Sequence, residues 1–108
     1  MFGFEMMFNY EERKVTRYEQ DNLIIDTCAI TDSDQPYETA VAHPSYNDGN
    51  FIIVELYKTK EEAQIGHDKW VKIMTSENLP TVLKDESSSE IKKFACSITD
   101  IETIFEKK

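Results

Sequence analysis

Hydrophobic and polar positions in the first half of the chain follow the two-residue period of β-strands. These β-rich runs cover residues 4–10, 15–19, 23–30, 37–43 and 51–57. Turn-forming residues separate the runs, and the strongest turn signal is Asn47-Asp48-Gly49-Asn50, whose residue types tolerate a positive φ. The order predicts a meander of four or five antiparallel strands.

After the last strand the apolar residues recur at the three-and-four spacing of an amphipathic helix. Thr59 and Glu62 form a capping box, which predicts a helix that begins near Lys60. Gly66 lies on the apolar stripe of this helix together with Trp70. We therefore expect the helix to approach the sheet closely at Gly66 and to bury Trp70 there.

A second capping signature at residues 87–90 predicts another helix beginning near Ser88 or Ser89. Apolar residues follow at helical spacing as far as Phe105, and Thr99-Asp100 could divide this segment into two helices. Strands first and helices last indicate an α+β fold, with two or three C-terminal helices on one face of the antiparallel sheet.

The length of 108 residues indicates a single domain, with strands in residues 1–57 and helices in 58–108. In the strand at 51–57, simple alternation places apolar side chains on both sides of the sheet. Helices on one face leave the second face partly exposed, and exposed apolar patches usually mark interfaces. This predicts a homodimer, or a partner or ligand on that face.

Charge is distributed unevenly along the chain. Residues 18–57 contain no lysine or arginine but eight of the 21 acidic residues, which accounts for most of the net charge of −9. Nucleic acids and anionic membranes require basic surfaces, so we expect neither as a ligand. The segment favours a cation, a basic protein surface or solubility alone.

The sequence predicts a cytoplasmic protein without metal or cofactor. The apolar N-terminus lacks a basic region and a cleavage site, and the apolar runs are too short to span a bilayer. Cys28 and Cys96 are interpreted as free thiols.

The segment that begins at Asp32 and Asp34 is not an EF-hand calcium loop, since His43 occupies the position at which that loop requires a glutamate. Isolated glycines exclude a phosphate-binding loop, and we find no nucleophile with its base.

His67 lies on the apolar face of the first helix and admits two interpretations. It is either a half-buried core histidine that bonds a backbone carbonyl or a carboxylate, or a proton-transfer or ligand-binding residue. In the second case it would pair with His43 or Glu55 across the sheet.

The hairpin at residues 37–57 combines tyrosines, carboxylates and a strong turn. It is either a solvated hairpin or a recognition surface, because tyrosines supply rigid contact area and carboxylates pair with a partner's Arg or Lys. With His67 added, the candidate partner- or ligand-binding residues are Tyr37, Glu38, His43, Tyr46, Asp48, Glu55, Tyr57 and His67.

The segment YETAVAHPSYNDG at residues 37–49 is followed by IVE at 53–55 and by EEA, GH and WV within 61–71. This pattern resembles small uncharacterised proteins encoded by bacteriophages and prophages, over roughly residues 22–85. The group has no established activity, so the resemblance implies an origin in a bacterial host cell and accessory roles such as inhibition of a host or defence enzyme.

The leading hypothesis is a non-enzymatic phage-type binding protein whose acidic, tyrosine-bearing hairpin docks on a basic host protein and acts in host takeover or against host defence. The alternative is a protein that sequesters a nucleotide-like or cationic metabolite. A minor virion component and a small enzyme using His43 and His67 stay open as further alternatives.

Overall fold

The computed structural model describes residues 13–30, 34–86 and 103–108. Several predictions fall outside these residues: the first strand at 4–10, Asp32, the helix start near Ser88 or Ser89 with the break at Thr99-Asp100, and Cys96.

The main sheet is a four-stranded antiparallel meander, as the alternation predicts. Its strands are β1 (Lys14–Gln20), β2 (Leu23–Ala29), β3 (Tyr37–Ala42) and β4 (Ile52–Tyr57), and they lie side by side in this order. A helix, α1 (Lys60–Met74), packs across the sheet and contacts all four strands. The α+β fold class is therefore confirmed.

The turn predicted between β3 and β4 is confirmed as a short 3₁₀ segment, Asn47–Gly49. All three of its residues have positive φ: 50° for Asn47, 53° for Asp48 and 85° for Gly49. Asn and Asp adopt this left-handed region more readily than other residues that carry a side chain, and Gly adopts it freely. The residue types at the turn therefore favour its backbone conformation.

Thr59 caps the N-terminus of α1, as predicted. Its hydroxyl accepts a hydrogen bond from the Glu62 amide at 3.1 Å, which satisfies one backbone donor of the first turn. The Glu62 carboxylate accepts from the Lys58 amide at 3.3 Å, one residue before the Thr59 amide that a capping box uses. The helix begins at Lys60, as predicted.

A β-bulge in β4 changes which side chains face the helix. Glu55 lies opposite Thr39, but Ile53 lies opposite Ala40, so Val54 is an extra residue without a partner on β3. The bulge reverses the alternation along the strand. Ile52, Glu55 and Tyr57 therefore share the α1 side of the sheet, whereas simple alternation had placed Ile52 on the side opposite to Glu55 and Tyr57.

The C-terminal segment differs from the prediction. Thr103–Glu106 forms a strand, β6, that pairs antiparallel with β5 (Val82–Asp85) instead of extending a helix to Phe105. Phe105 packs against the main core cluster, while its neighbour Ile104 is exposed. Among the described residues after β4, α1 is the single helix, rather than two or three, because pairing with β5 satisfies the backbone of this short segment.

The core lies between α1, the sheet and the β5–β6 hairpin. Its buried residues are Leu23, Ile25, Val41, Tyr46, Ile52, Val54, Met74 and Leu83. Over the described parts of the chain, no helix is long and apolar enough to cross a membrane.

Candidate functional site

A chain of polar side chains crosses the core between α1 and the sheet. Thr27 on β2 and Thr39 on β3 lie opposite each other, and both are 0% exposed. His67, on the inner face of α1, is 4% exposed. Burying hydroxyl and imidazole groups is costly unless they form hydrogen bonds, so their partners decide whether this arrangement is stable.

Hydrogen bonds connect these groups to the edge of the sheet. Nδ1 of His67 lies 2.8 Å from the Thr27 hydroxyl, which lies 2.6 Å from that of Thr39. The Thr39 hydroxyl is 3.0 Å from the phenol oxygen of Tyr57, which donates to Oε1 of Glu55 at 3.2 Å. A continuous path of four hydrogen bonds therefore joins His67 to Glu55.

The number of available protons fixes the direction of this path. Four hydrogen bonds need four protons, and the hydroxyls of Thr27, Thr39 and Tyr57 supply one each. An ionised Glu55 supplies none. The fourth proton therefore lies on Nδ1 of His67, which donates to Thr27, and every bond in the path points towards the carboxylate.

Glu55 is ionised because its surroundings favour the charged form. Burial pushes the pKa of its carboxyl upward, but hydrogen bonds from Lys69 and Trp70 and the charge of Lys69 outweigh this effect and hold the pKa below its ordinary value. The Lys69 ammonium lies 2.5 Å from Oε1 of Glu55, and the indole N–H of Trp70 lies 2.8 Å from the same oxygen.

His67 at the other end is neutral at pH 7. Burial lowers the pKa of its imidazole below the ordinary value, against the opposing charges of Asp68 and Asp26. Its proton on Nδ1 is part of the hydrogen-bond path in either charge state. The imidazole therefore acts as a fixed donor that anchors the path rather than as an exposed acid or base.

Gly66 allows α1 to lie against Tyr57. A Cβ atom added at Gly66 would overlap the ring and the hydroxyl of Tyr57. The expected close approach is therefore present, but the ring beside Gly66 belongs to Tyr57 and not to Trp70. Trp70 is only partly buried, at the edge of the core, where its N–H reaches Glu55.

The Glu55 end of the path opens into a surface pocket of about 450 Å³. Its lining residues are Gln35, Val54, Glu55, Leu56, Lys69, Trp70 and Glu86. The Glu55 side chain remains one third exposed. All three donors to Glu55 use Oε1, and no donor from the described part of the chain reaches Oε2. This second oxygen is the acceptor left for a ligand.

The remaining predicted site residues do not join this pocket. Tyr46 is 0% exposed, and its hydroxyl donates to the Pro80 carbonyl; Asp48 pairs with Lys108 at the molecular surface. Nδ1 of His43 accepts a hydrogen bond from the Ser45 amide at 3.0 Å. His43 lies four residues beyond Thr39, about 13 Å at strand spacing. His67 contacts Thr27, which lies opposite Thr39, so the two histidines do not share a site.

Tyr37 and Glu38 divide between the two faces of the sheet. Tyr37 pairs with Tyr57 and lies half-buried on the α1 side. Glu38 points to the opposite face, beside Cys28, its partner across the strands. Burial and the charge of Asp26 raise the pKa of Glu38, although Arg13 opposes this. The predicted recognition set thus falls into three places rather than one surface.

The described residues contain no group of three histidine, cysteine or carboxylate side chains that could hold a metal ion. Cys28 is a half-buried free thiol. Burial and the charges of Glu38 and Asp26 raise its pKa to about 11, so the nucleophilic thiolate is scarce at neutral pH.

Four residues of this site were not predicted from the sequence: Thr27, Thr39, Lys69 and Trp70. A signal existed for the threonines, because Thr27 continues the buried parity of Leu23 and Ile25 on β2. A polar residue at a core position indicates a buried hydrogen-bond partner. For Lys69 no local signal exists, since its contact with Glu55 spans fourteen residues.

No family model matches this chain, and neither the curated proteins nor the solved structures compared with it include a match. The resemblance to phage-encoded proteins stays a prediction.

Proposed function

We propose that this protein is a non-enzymatic binding protein that docks on a basic surface of another protein through the Glu55 pocket. One observation carries the proposal: three donors on Oε1 hold Glu55 ionised and oriented, no donor from the described part of the chain reaches Oε2, and Glu55 lines a pocket together with Trp70 and Glu86. Carboxylates beside an indole ring are suited to bind a cation.

The charge of the whole molecule supports a basic partner. Ion pairs partly neutralise the acidic segment, since Arg17 lies 3.1 Å from Asp26 and Lys108 pairs with Asp48. The net charge of −9 nevertheless remains. A field of this sign speeds association with basic surfaces and orients them, especially at low ionic strength.

The structure narrows the surface that we expect to make contact. Tyr46 and Tyr57 are buried, so in this fold their rings support the hairpin and do not provide contact area. Two acidic residues, Glu55 and Glu86, line the same pocket. We therefore assign the docking role to the edge of β4 and to Glu86, which directly follows β5.

Binding rather than catalysis fits the chemistry of the described residues. His67 is committed to Thr27, His43 lies in a different part of the molecule, and the pKa of Cys28 disfavours a thiolate. The phage resemblance extends the proposal to a host or defence protein in the bacterial cytoplasm. A pocket of about 450 Å³ also suits a small cationic molecule, which is the alternative occupant.

The test uses the single tryptophan as a reporter, since Trp70 contacts Glu55 directly. Titration of tryptophan fluorescence with a nona-arginine peptide at constant ionic strength gives the affinity. Glu55→Gln should weaken binding about fivefold, as expected for loss of one partly exposed ion pair.

The matched control is Glu77→Gln, which removes the same charge from an exposed position after α1. Circular dichroism must show that both variants fold. If both variants lose affinity equally, binding depends on overall charge, and the Glu55 pocket is not the docking site.

A further inference from the structure

We propose that Lys69 occupies the Glu55 pocket as an intramolecular substitute for an arginine side chain of the partner protein, which displaces it on binding. This inference rests on the proposed function and specifies what the pocket recognises. It follows from the position of the Lys69 ammonium, from the second oxygen of Glu55, which accepts from no described donor, and from the ring of Trp70 beside them.

The Lys69 ammonium already sits where a ligand cation would bind. It lies 2.5 Å from Oε1 of Glu55 and 5.6 Å from the centre of the Trp70 ring. Proteins commonly bind cationic groups over the face of an aromatic ring, whose π-system attracts positive charge, and beside a carboxylate. The position therefore marks a cation-binding site within the chain itself.

Lys69 is easily displaced. Its side chain is about half exposed, and exposed ion pairs contribute little because solvent screens them and ordering a long side chain costs entropy. Leaving the pocket returns the ammonium to water, where it is well hydrated. A competing cation needs to replace only this weak contact.

The pocket offers more to a guanidinium than to an ammonium. Lys69 uses one oxygen of Glu55, whereas a planar guanidinium can donate to both oxygens in parallel and stack on Trp70. Glu86 is a second acidic residue that lines the pocket, and its carboxylate lies 3.6 Å from the Lys84 ammonium. The chemistry thus favours arginine over lysine. Because the surrounding surface is acidic, we assign the arginine to a basic protein rather than to a free metabolite.

Three variants separate competition from general charge effects. Lys69→Met removes the internal cation, and it should tighten binding of acetyl-arginine amide about two- to fivefold. Lys69→Arg supplies a stronger internal competitor and should weaken the binding of acetyl-arginine amide. Lys72→Met, one turn from the contact position on α1, makes the same change in net charge and should have little effect.

The readouts are tryptophan fluorescence and the single indole N–H cross-peak of Trp70 in ¹H–¹⁵N spectra. If Lys69→Met binds the probe no more tightly than Lys72→Met, the inference about Lys69 is wrong, even where Glu55→Gln weakens binding and the proposed function stands. If Glu55→Gln also has no effect, both fail.

Two further titrations test the identity of the ligand. Acetyl-lysine amide should bind more weakly than acetyl-arginine amide, and equal affinity would overturn the assignment to arginine. A nona-arginine peptide should bind the wild type more tightly than the single arginine derivative does, since neighbouring carboxylates contribute. Equal affinity of the two would overturn the protein partner in favour of a small cationic ligand.

Discussion

At the scale of single residues, the site depends on hydroxyl groups that no water reaches. Thr27 and Thr39 are completely buried, and each would destabilise the fold if its hydroxyl lacked a partner. Each therefore relies on the next group in the path, from His67 to Glu55. Removing one member leaves another buried group unsatisfied, which costs more than the hydrogen bond itself contributes.

The pH dependence of stability should report His67. Its pKa in the folded protein lies below the ordinary value, because burial opposes the charged form. As pH falls below about 6.5, the usual value for histidine, the unfolded chain takes up a proton at this position before the folded chain does. The free energy of unfolding therefore falls as pH is lowered through this range.

His67→Asn places an amide N–H near the position of Nδ1 and cannot titrate. In urea unfolding at several pH values between 5.5 and 7.5, this variant should lose part of the acid-side decrease that the wild type shows. His43 also has a pKa lowered by burial, so His43→Asn is measured in parallel. A His67→Asn profile parallel to that of the wild type would contradict the proposed environment of His67.

At the scale of elements, the sequence predicted the parts whose cause is local. The strands of the sheet, the turn at Asn47–Gly49 and the helix N-cap at Thr59 follow from period, backbone preference and spacing. The side of the sheet to which each side chain of β4 points was predicted wrongly. The bulge at Val54 arises from pairing with β3, and it inverts the alternation along the strand. The strand at Thr103–Glu106 likewise depends on β5, a contact between segments about twenty residues apart.

The candidate site shows the same division. Glu55 and His67 were identified as a possible pair from residue type, yet the path that connects them runs through two threonines and a tyrosine on three strands. Registers between strands decide which side chains meet, and they are set by bulges and turns rather than by any one segment. For that reason Tyr57 was expected at the surface and is found in the core. Tyr46, which lies outside the strands, is buried as well, and its hydroxyl contacts the carbonyl of Pro80, 34 residues away.

The contact between α1 and β4 gives a prediction with an unusual sign. Replacing a mid-helix glycine by alanine normally stabilises a helix by about 1 kcal/mol. Gly66→Ala should instead destabilise the protein by about 1–3 kcal/mol, because the new methyl group overlaps Tyr57. Tyr57 cannot easily move away, since its hydroxyl is bonded to Thr39 and Glu55.

Urea unfolding measures this effect, and a double-mutant cycle isolates its cause. In the background of Tyr57→Leu, which removes the overlapping ring, Gly66→Ala should cost much less. If Gly66→Ala stabilises the wild type, the helix does not approach β4 as closely as the structure indicates.

At the scale of the whole molecule, the face of the sheet opposite α1 carries both apolar and acidic side chains. Ile24, Ala40 and Ile53 are half-buried there, in the rows that also contain Asp26 and Glu38. The ion pair between Arg17 and Asp26 spans the same face. This mixture differs from the acidic pocket at Glu55, so the two surfaces suit different partners.

A second copy of the chain is the partner that we expect on this face. Phe51, which precedes β4, is 47% exposed, and simple alternation places it on the same side as Ile53. Apolar side chains exposed beside a sheet are commonly covered by a two-fold dimer, the commonest closed assembly. Sedimentation velocity at tens of micromolar should therefore show a dimer, and Phe51→Ser should shift it towards monomer.

Ile65→Ser is the matched control, since Ile65 is 71% exposed on α1 and lies away from this face. A wild-type monomer, or equal effects of the two variants, would show that self-association does not use this surface and would leave the face to a different partner.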